Sequence, residues 1–156
     1  MSIFVRDVVA EDAARWAELY TGYRTFYDIP RDDDAVATTW GWVLRREHGM
    51  RGLVAVARDE GQPGGRVVGL ANLRHFARPS RATFALYLDD LFTDPEARGL
   101  GAATALLDQA ARLAAEDGAE VVRWITASTN ATARRVYDAH ATATNFVTYD
   151  MKPRGV

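Results

Sequence analysis

The chain has 156 residues, 48% of them hydrophobic, with a formal net charge of -2 and no cysteine. That length suits one domain with a substantial core, so a single domain over residues 1–156 is expected. The near-neutral charge argues against nucleic acid, the lack of a long apolar run argues against a membrane partner, and the missing cysteines exclude disulfides, thiol nucleophiles and cysteine-zinc sites.

The elements read as follows in chain order. Ile3 to Val8 alternates as a first strand, and without a signal peptide's apolar core the start is most simply that of a cytoplasmic protein. Ala10-Glu11-Asp12 opens a helix on which Trp16, Leu19, Tyr20, Tyr23, Phe26 and Tyr27 recur at helical spacing, and Pro30 closes it. A second helix starts between Arg31 and Asp34, places Val36, Trp40, Val43 and Leu44 on one face, and ends near Gly49. Trp16, Phe26 and Trp40 are expected in the core. Leu53 to Arg58 and Arg66 to Phe76 flank a Gln62-Pro63-Gly64-Gly65 turn as a hairpin. Thr83 to Thr93 is a long strand, Gly99 to Asp117 a helix, Glu120 to Thr126 a strand, Asn130 to His140 a helix and Asn145 to Met151 a last strand.

The most informative stretch runs from Tyr87-Leu88-Asp89-Asp90-Leu91-Phe92-Thr93 through Asp94-Pro95-Glu96-Ala97 to Arg98-Gly99-Leu100-Gly101-Ala102-Ala103. An apolar strand passes through a turn into a glycine-bearing helix start. Amides in the first turn of a helix lack internal partners and carry the positive end of its dipole, so those from Arg98 to Ala103 suit a pyrophosphate. A P-loop is excluded, because Ala102, Ala103 and Thr104 stand where Lys-Ser/Thr is needed. A dinucleotide fingerprint fails at its third glycine, where Thr104 stands, and Glu120 opens the next strand instead of closing it. An ordinary strand-turn-helix capped by glycines also suits the loop alone.

The spacing Arg98, Gly101, Ala103 fits Arg-x-x-Gly-x-Gly/Ala and resembles the acyl-CoA pyrophosphate loop of the GNAT N-acetyltransferase superfamily. Asn130-Ala131-Thr132-Ala133-Arg134-Arg135-Val136-Tyr137 is similar to that superfamily's second cofactor segment, Asn-x-x-Ala-x-x-Leu-Tyr. Trp16 to Tyr27, with the Tyr-Leu-Asp-Asp-Leu-Phe strand, resembles a bacterial and fungal subgroup that includes the yeast histone and polyamine acetyltransferase relatives.

The resemblance implies an α/β (α+β) fold whose mixed, mostly antiparallel sheet splays between strands 4 and 5 and is flanked by helices. It implies acetyl-CoA as cosubstrate, with no metal, held by Leu91, Phe92, Thr93, Arg98, Gly99, Leu100, Gly101, Ala102, Ala103, Asn130, Ala133 and Tyr137. Tyr137 is then the acid for the thiolate. Asp89 occupies the position of a carboxylate associated with proton removal, Asp90 is the alternative, and a water relay a third. Because adjacent strand residues face opposite sides, only one of the two should enter a given cleft. Tyr23, Tyr27, His75, Asp89 and Thr126 are candidates for the acceptor side, the tyrosines through cation–π contact with an amine. His75 is placed at a strand end facing the same region, while His48 and His140 have no partner pattern.

Two features depart from the subgroup. Ser128-Thr129 replaces its Glu-Asp pair, which disfavours a polycationic acceptor, and Asn145 replaces a glycine. The expected activity is acetyl transfer to a primary amine of a small molecule by direct attack in a ternary complex. The alternatives are a polyamine or protein-lysine acetyltransferase and a non-catalytic acyl-CoA-binding regulatory module. An apolar last strand at the sheet edge implies a homodimer.

Overall fold

The computed structural model describes residues 1–59 and 64–155. Its strands are β1 (Ser2–Asp7), β2 (Met50–Arg58), β3 (Arg66–Arg78), β4 (Thr83–Thr93) and β5 (Val122–Arg123); its helices are α1 (Ala13–Phe26), α2 (Asp33–Arg45), α3 (Ala102–Glu116) and α4 (Ala131–Asp138). The chain divides into two compact units, Met1–Ile125 and Thr126–Val156. The first holds the whole sheet with α1 to α3, and the second holds α4. Among the described residues no helix is long and apolar enough to cross a membrane.

The sheet runs in sequence order, antiparallel from β1 to β4, with β5 parallel to β4. Leu53 to Ala57 on β2 and Val67 to Leu73 on β3 are buried without interruption, as expected of central strands covered on both faces. Trp16, Leu19, Tyr20, Val36, Val43, Val54, Val56, Val67 and Leu70 form one core cluster, joining α1 and α2 to the sheet. Trp40 packs against it. Helix α3 buries Ala102, Leu106, Leu107, Ala110, Leu113 and Ala114, recurring at three- and four-residue steps. The Asp32 carboxylate caps α2 by accepting from Ala35 N–H at 2.9 Å.

Several expectations need correction. A single 3-10 turn, Ala10–Asp12, precedes α1. Phe26 ends α1 with 53% of its area exposed and is not core. Gln62 and Pro63 of the expected turn lie outside the described residues. The fifth strand is only Val122–Arg123, because pairing with β4 stops there. No strand forms at Asn145 to Met151, where Phe146, Val147, Tyr149 and Met151 are exposed. Alternation makes a strand only when a neighbouring edge supplies hydrogen bonds, and this segment pairs with none among the described residues.

Candidate active site

The junction between β4 and α3 is organised by Asp94. Its carboxylate accepts from Glu96 N–H at 3.0 Å and pairs with Arg15 of α1 and with Arg66 of β3, while its own N–H donates to the Val68 carbonyl at 2.8 Å. Burial opposes its charge, but the Glu96 amide and the two arginines together hold its carboxyl below the usual range. A single turn, Pro95–Ala97, then leads to Gly99 at φ 81° and Gly101 at φ 84°, both in the left-handed region that favours glycine. A Cβ at either position would meet open space, so that side of the loop is unobstructed.

Gly101 caps α3 without any side-chain hydrogen bond, and Ala105 N–H to Gly101 C=O at 2.9 Å lies in the first turn. The amides of Ala102, Ala103 and Thr104 come before that bond and keep their donors for a ligand. Arg98 is exposed and pairs with no carboxylate among the described residues. These groups fit a pyrophosphate: backbone donors, a helix N-terminus, an unpaired guanidinium and no side chain in the way.

β4 is paired with β3 along its whole length but with β5 only at Leu86↔Val122 and Tyr87↔Arg123. From Leu88 to Thr93 its outer edge has no strand partner among the described residues, so backbone amides there can receive an extended ligand. Phe92 turns its ring toward α1, where a Cβ on Gly22 would approach it to 3.0 Å.

At the middle of β4 the register shifts. Asn72 pairs with Asp90 and Leu73 with Leu88, so Asp89 is the extra residue of a β-bulge. Asp89 meets Arg74, whose Nε lies 2.9 Å from its Oδ2 and 3.1 Å from Oδ1. Asp90 accepts from Asn72 Nδ2 at 2.8 Å, and the phenols of Tyr20 and Tyr23 lie close enough to favour its charged form. Asn72 and Arg74 are alternate residues of β3 and share a face. Both carboxylates therefore lie on that one face, correcting the expectation that adjacent residues must separate.

Burial pushes the carboxyls of Asp89 and Asp90 up, against the opposing pull of Arg74 on the first and of Asn72, Tyr23 and Tyr20 on the second. The same burial beside Asp90 raises Tyr20 to about 12 and raises Tyr23 as well. Asn72 is fully buried, and its Oδ1 accepts no hydrogen bond among the described residues.

Trp16, Tyr20, Tyr23 and Tyr27 form a continuous row along α1, with successive ring centroids 4.6, 5.7 and 5.0 Å apart. Tyr23 thus joins the carboxylate cluster through Asp90, and Tyr27 extends the row to the surface. His75 does not join it. Its Nε2 lies 2.9 Å from Asp117 at the end of α3, and its neighbour Arg74 takes the other face of β3.

Tyr20, Asn72 and Arg74 are site residues that were not singled out from the sequence. Asn72 carries a readable signal, a polar side chain inside the buried run Val67 to Leu73, where it needs a partner. Arg74 carries none, since its role depends on the bulge.

In the second unit, Asn130 accepts from Ala133 N–H at 3.3 Å through Oδ1 and caps α4, while its Nδ2 lies 3.4 Å from Thr126 Oγ1. Asn130, Ala133 and Tyr137 are spaced to share one face of α4, and Ala133 and Tyr137 are half-buried.

The family model described as Acetyltransferase (GNAT) family matches residues 16–141. This chain belongs to the GNAT acetyltransferase family. Among solved structures, the GNAT chain resembles AAC(6')-Iy in complex with the bisubstrate analog CoA-S-monomethyl-acetylneamine, with TM-score 0.81, 16% identity and 99% of each chain covered. It also resembles a ribosomal-protein-alanine N-acetyltransferase from Brucella melitensis biovar Abortus 2308, with TM-score 0.78, 22% identity, and 97% of this chain and 99% of that one covered. A structure called a probable acetyltransferase matches with TM-score 0.79 and 22% identity, covering 97% of this chain and 98% of that one. At such identities these likenesses concern the fold. Acetyl-CoA is the acyl donor of GNAT acetyltransferases, and the loop between β4 and α3 fits its pyrophosphate by the geometry given above.

Proposed function

We propose that the chain transfers acetyl from acetyl-CoA to a primary amine of a small molecule by direct attack in a ternary complex. The observation that carries this reading is the alignment, along β4, of three features in order. The glycine loop with its open amides stands at the C-terminal end, an unpaired strand edge precedes it, and a bulge with two carboxylates precedes that. Acetyl-CoA supplies a thioester, an activated acyl group that a neutral amine can take.

The chain's own residues then divide the work. Arg98 and the amides of Gly99 and of Gly101 to Ala103 bind the diphosphate, the Leu100 N–H being taken by the Ala97 carbonyl, and the backbone of Leu91 to Thr93 holds the pantetheine arm. Asp89 removes the amine proton. Its ion-pair partner is Arg74 and its buried Oδ2 accepts no hydrogen bond among the described residues, whereas Asp90 accepts from Asn72 and sits beside the phenols of Tyr20 and Tyr23. Asp90 is a positioning group for Tyr20 and Tyr23, which with Tyr27 wall the acceptor side. Tyr137, by its place in the Asn130-to-Tyr137 motif, returns a proton to the departing thiolate.

A bulky anionic residue in the loop tests the assignment. Gly101→Glu places a side chain at φ 84° and a negative charge among the donors. Acetyl-CoA binding by calorimetry should fall at least about tenfold in this variant, and NAD should not compete in the wild type. Unchanged acetyl-CoA binding in Gly101→Glu, or tight NAD binding, would remove the basis of the reading.

A further inference from the structure

We propose that the acceptor carries an oxyanion, a carboxylate or a phosphate, bound by the guanidinium groups of Arg74 and Arg123 beside Tyr87. The inference rests on the acetyl-transfer reading for its assignment to the acceptor. The register places Arg74, Tyr87 and Arg123 in one cross-strand row of β3, β4 and β5. Paired residues project from the same face, so two like charges flank one ring at the spacing of adjacent strands.

Stacking holds both guanidinium groups in place. Arg74 lies 4.6 Å above the Tyr87 ring and Arg123 lies 5.7 Å above that of Phe76, while the two rings meet edge to face at 5.9 Å. A guanidinium resting on an aromatic face keeps its in-plane N–H donors turned outward, the geometry that pairs with planar or tetrahedral oxyanions. Asp89 takes the Nε side of Arg74 and compensates that charge. Arg123 is exposed and pairs with no carboxylate among the described residues. One positive charge is therefore left over in a row where repulsion favours an added anion.

Position along β4 decides which molecule supplies it. The diphosphate loop lies beyond the C-terminal end of the strand, and Leu91 to Thr93 follow the bulge at Asp89. Tyr87 lies on the far side of that bulge, two residues upstream of Asp89. A ligand that enters from the loop and presents its acyl group at the bulge does not reach Tyr87, so an anion there belongs to the acceptor. Its amine would then lie toward Asp89, beside Arg74.

Three probes of one skeleton test this: N-acetylphenylalanine, its phosphonate analogue, and N-acetylphenethylamine, which has no anionic group. Calorimetry on the full chain should show the anionic probes binding at least about tenfold more tightly than the neutral one, and the difference should vanish in Arg123→Gln, with Arg123→Lys intermediate. The stronger of the two anionic probes tells carboxylate from phosphate. Thermal melts of the variants establish that they fold. Equal binding of all three probes, or a preference that survives Arg123→Gln, overturns the proposal. Release of CoA with the free amines separates the two readings. Charge-dependent binding without transfer to any amine leaves the anion site standing and removes the transferase reading. Transfer that ignores the acceptor's charge does the reverse.

Discussion

Asp89 and Asp90, consecutive in the chain, present their carboxylates to the same face of β4, one to Arg74 and the other to Asn72, because a bulge at Asp89 breaks the alternation of the strand. Two acids thus share one region with separate partners, and those partners decide what each can do. On the proposed reading, the acid paired with Arg74 takes the proton and the acid held by Asn72 positions the tyrosines beside it.

Asp89→Asn should lower the rate at neutral pH by about a hundred- to ten-thousand-fold and recover part of it as rising pH deprotonates the free amine. Because burial raises the Asp89 carboxyl, the acid limb of the wild-type pH–rate profile should lie above the ordinary carboxylate range. If Asp90→Asn gives this behaviour and Asp89→Asn leaves the profile intact, the two roles are exchanged.

Asp90→Leu should destabilise the fold by about 1–3 kcal/mol, since it leaves the buried Asn72 amide without its acceptor. The sign with pH follows from the raised Asp90 carboxyl. A group whose folded pKa is raised contributes fully below its unfolded value and loses that contribution as pH climbs through the folded value. Relative to Asp90→Asn, the wild type should be more stable at about pH 4 than at about pH 7 in denaturant melts. A difference that grows with pH would contradict this.

Much of the architecture was legible in residue patterns. Thr83 to Thr93 has the expected bounds, and α3 begins at the glycine loop because Gly101 supplies the positive φ that starts it. The carboxylate cluster was less legible. Period-two reasoning assumes an unbroken ladder, so a bulge that shifts Asp89 against Asn72 and Leu73 cannot be read from Tyr87-Leu88-Asp89-Asp90. The same limit hid Arg74, whereas His75 turns toward Asp117 by the unbroken alternation of β3. At the other end, Asn145 to Met151 alternates like a strand, but a strand is a property of a pair and the sequence names only one member.

No edge strand forms at Asn145 to Met151, so the ground for a homodimer is the exposed side chains Phe146, Val147, Tyr149 and Met151, each at least 71% exposed. A homodimer that covers them is expected, and deleting residues 145–151 should yield monomer. Light scattering at micromolar protein that returns a sharp monomer mass for the full chain would reject it.

Tyr137→Phe removes the proposed proton donor while keeping the ring. The rate should fall by about ten- to ten-thousand-fold with acetyl-CoA affinity nearly unchanged, the pattern of a group that acts in the transition state and contributes little to binding. Full activity in the phenylalanine variant would return Tyr137 to packing.

Acetyl transfer to a small amine is measured by the release of free CoA from acetyl-CoA across a panel of primary amines, with the product identified by mass. Release should require both protein and amine, the N-acetylated acceptor should form in equal amount, and both should be lost in Asp89→Asn at neutral pH. Tight acetyl-CoA binding with no acetylated product from any amine in the panel would contradict it and leave a binding module in its place.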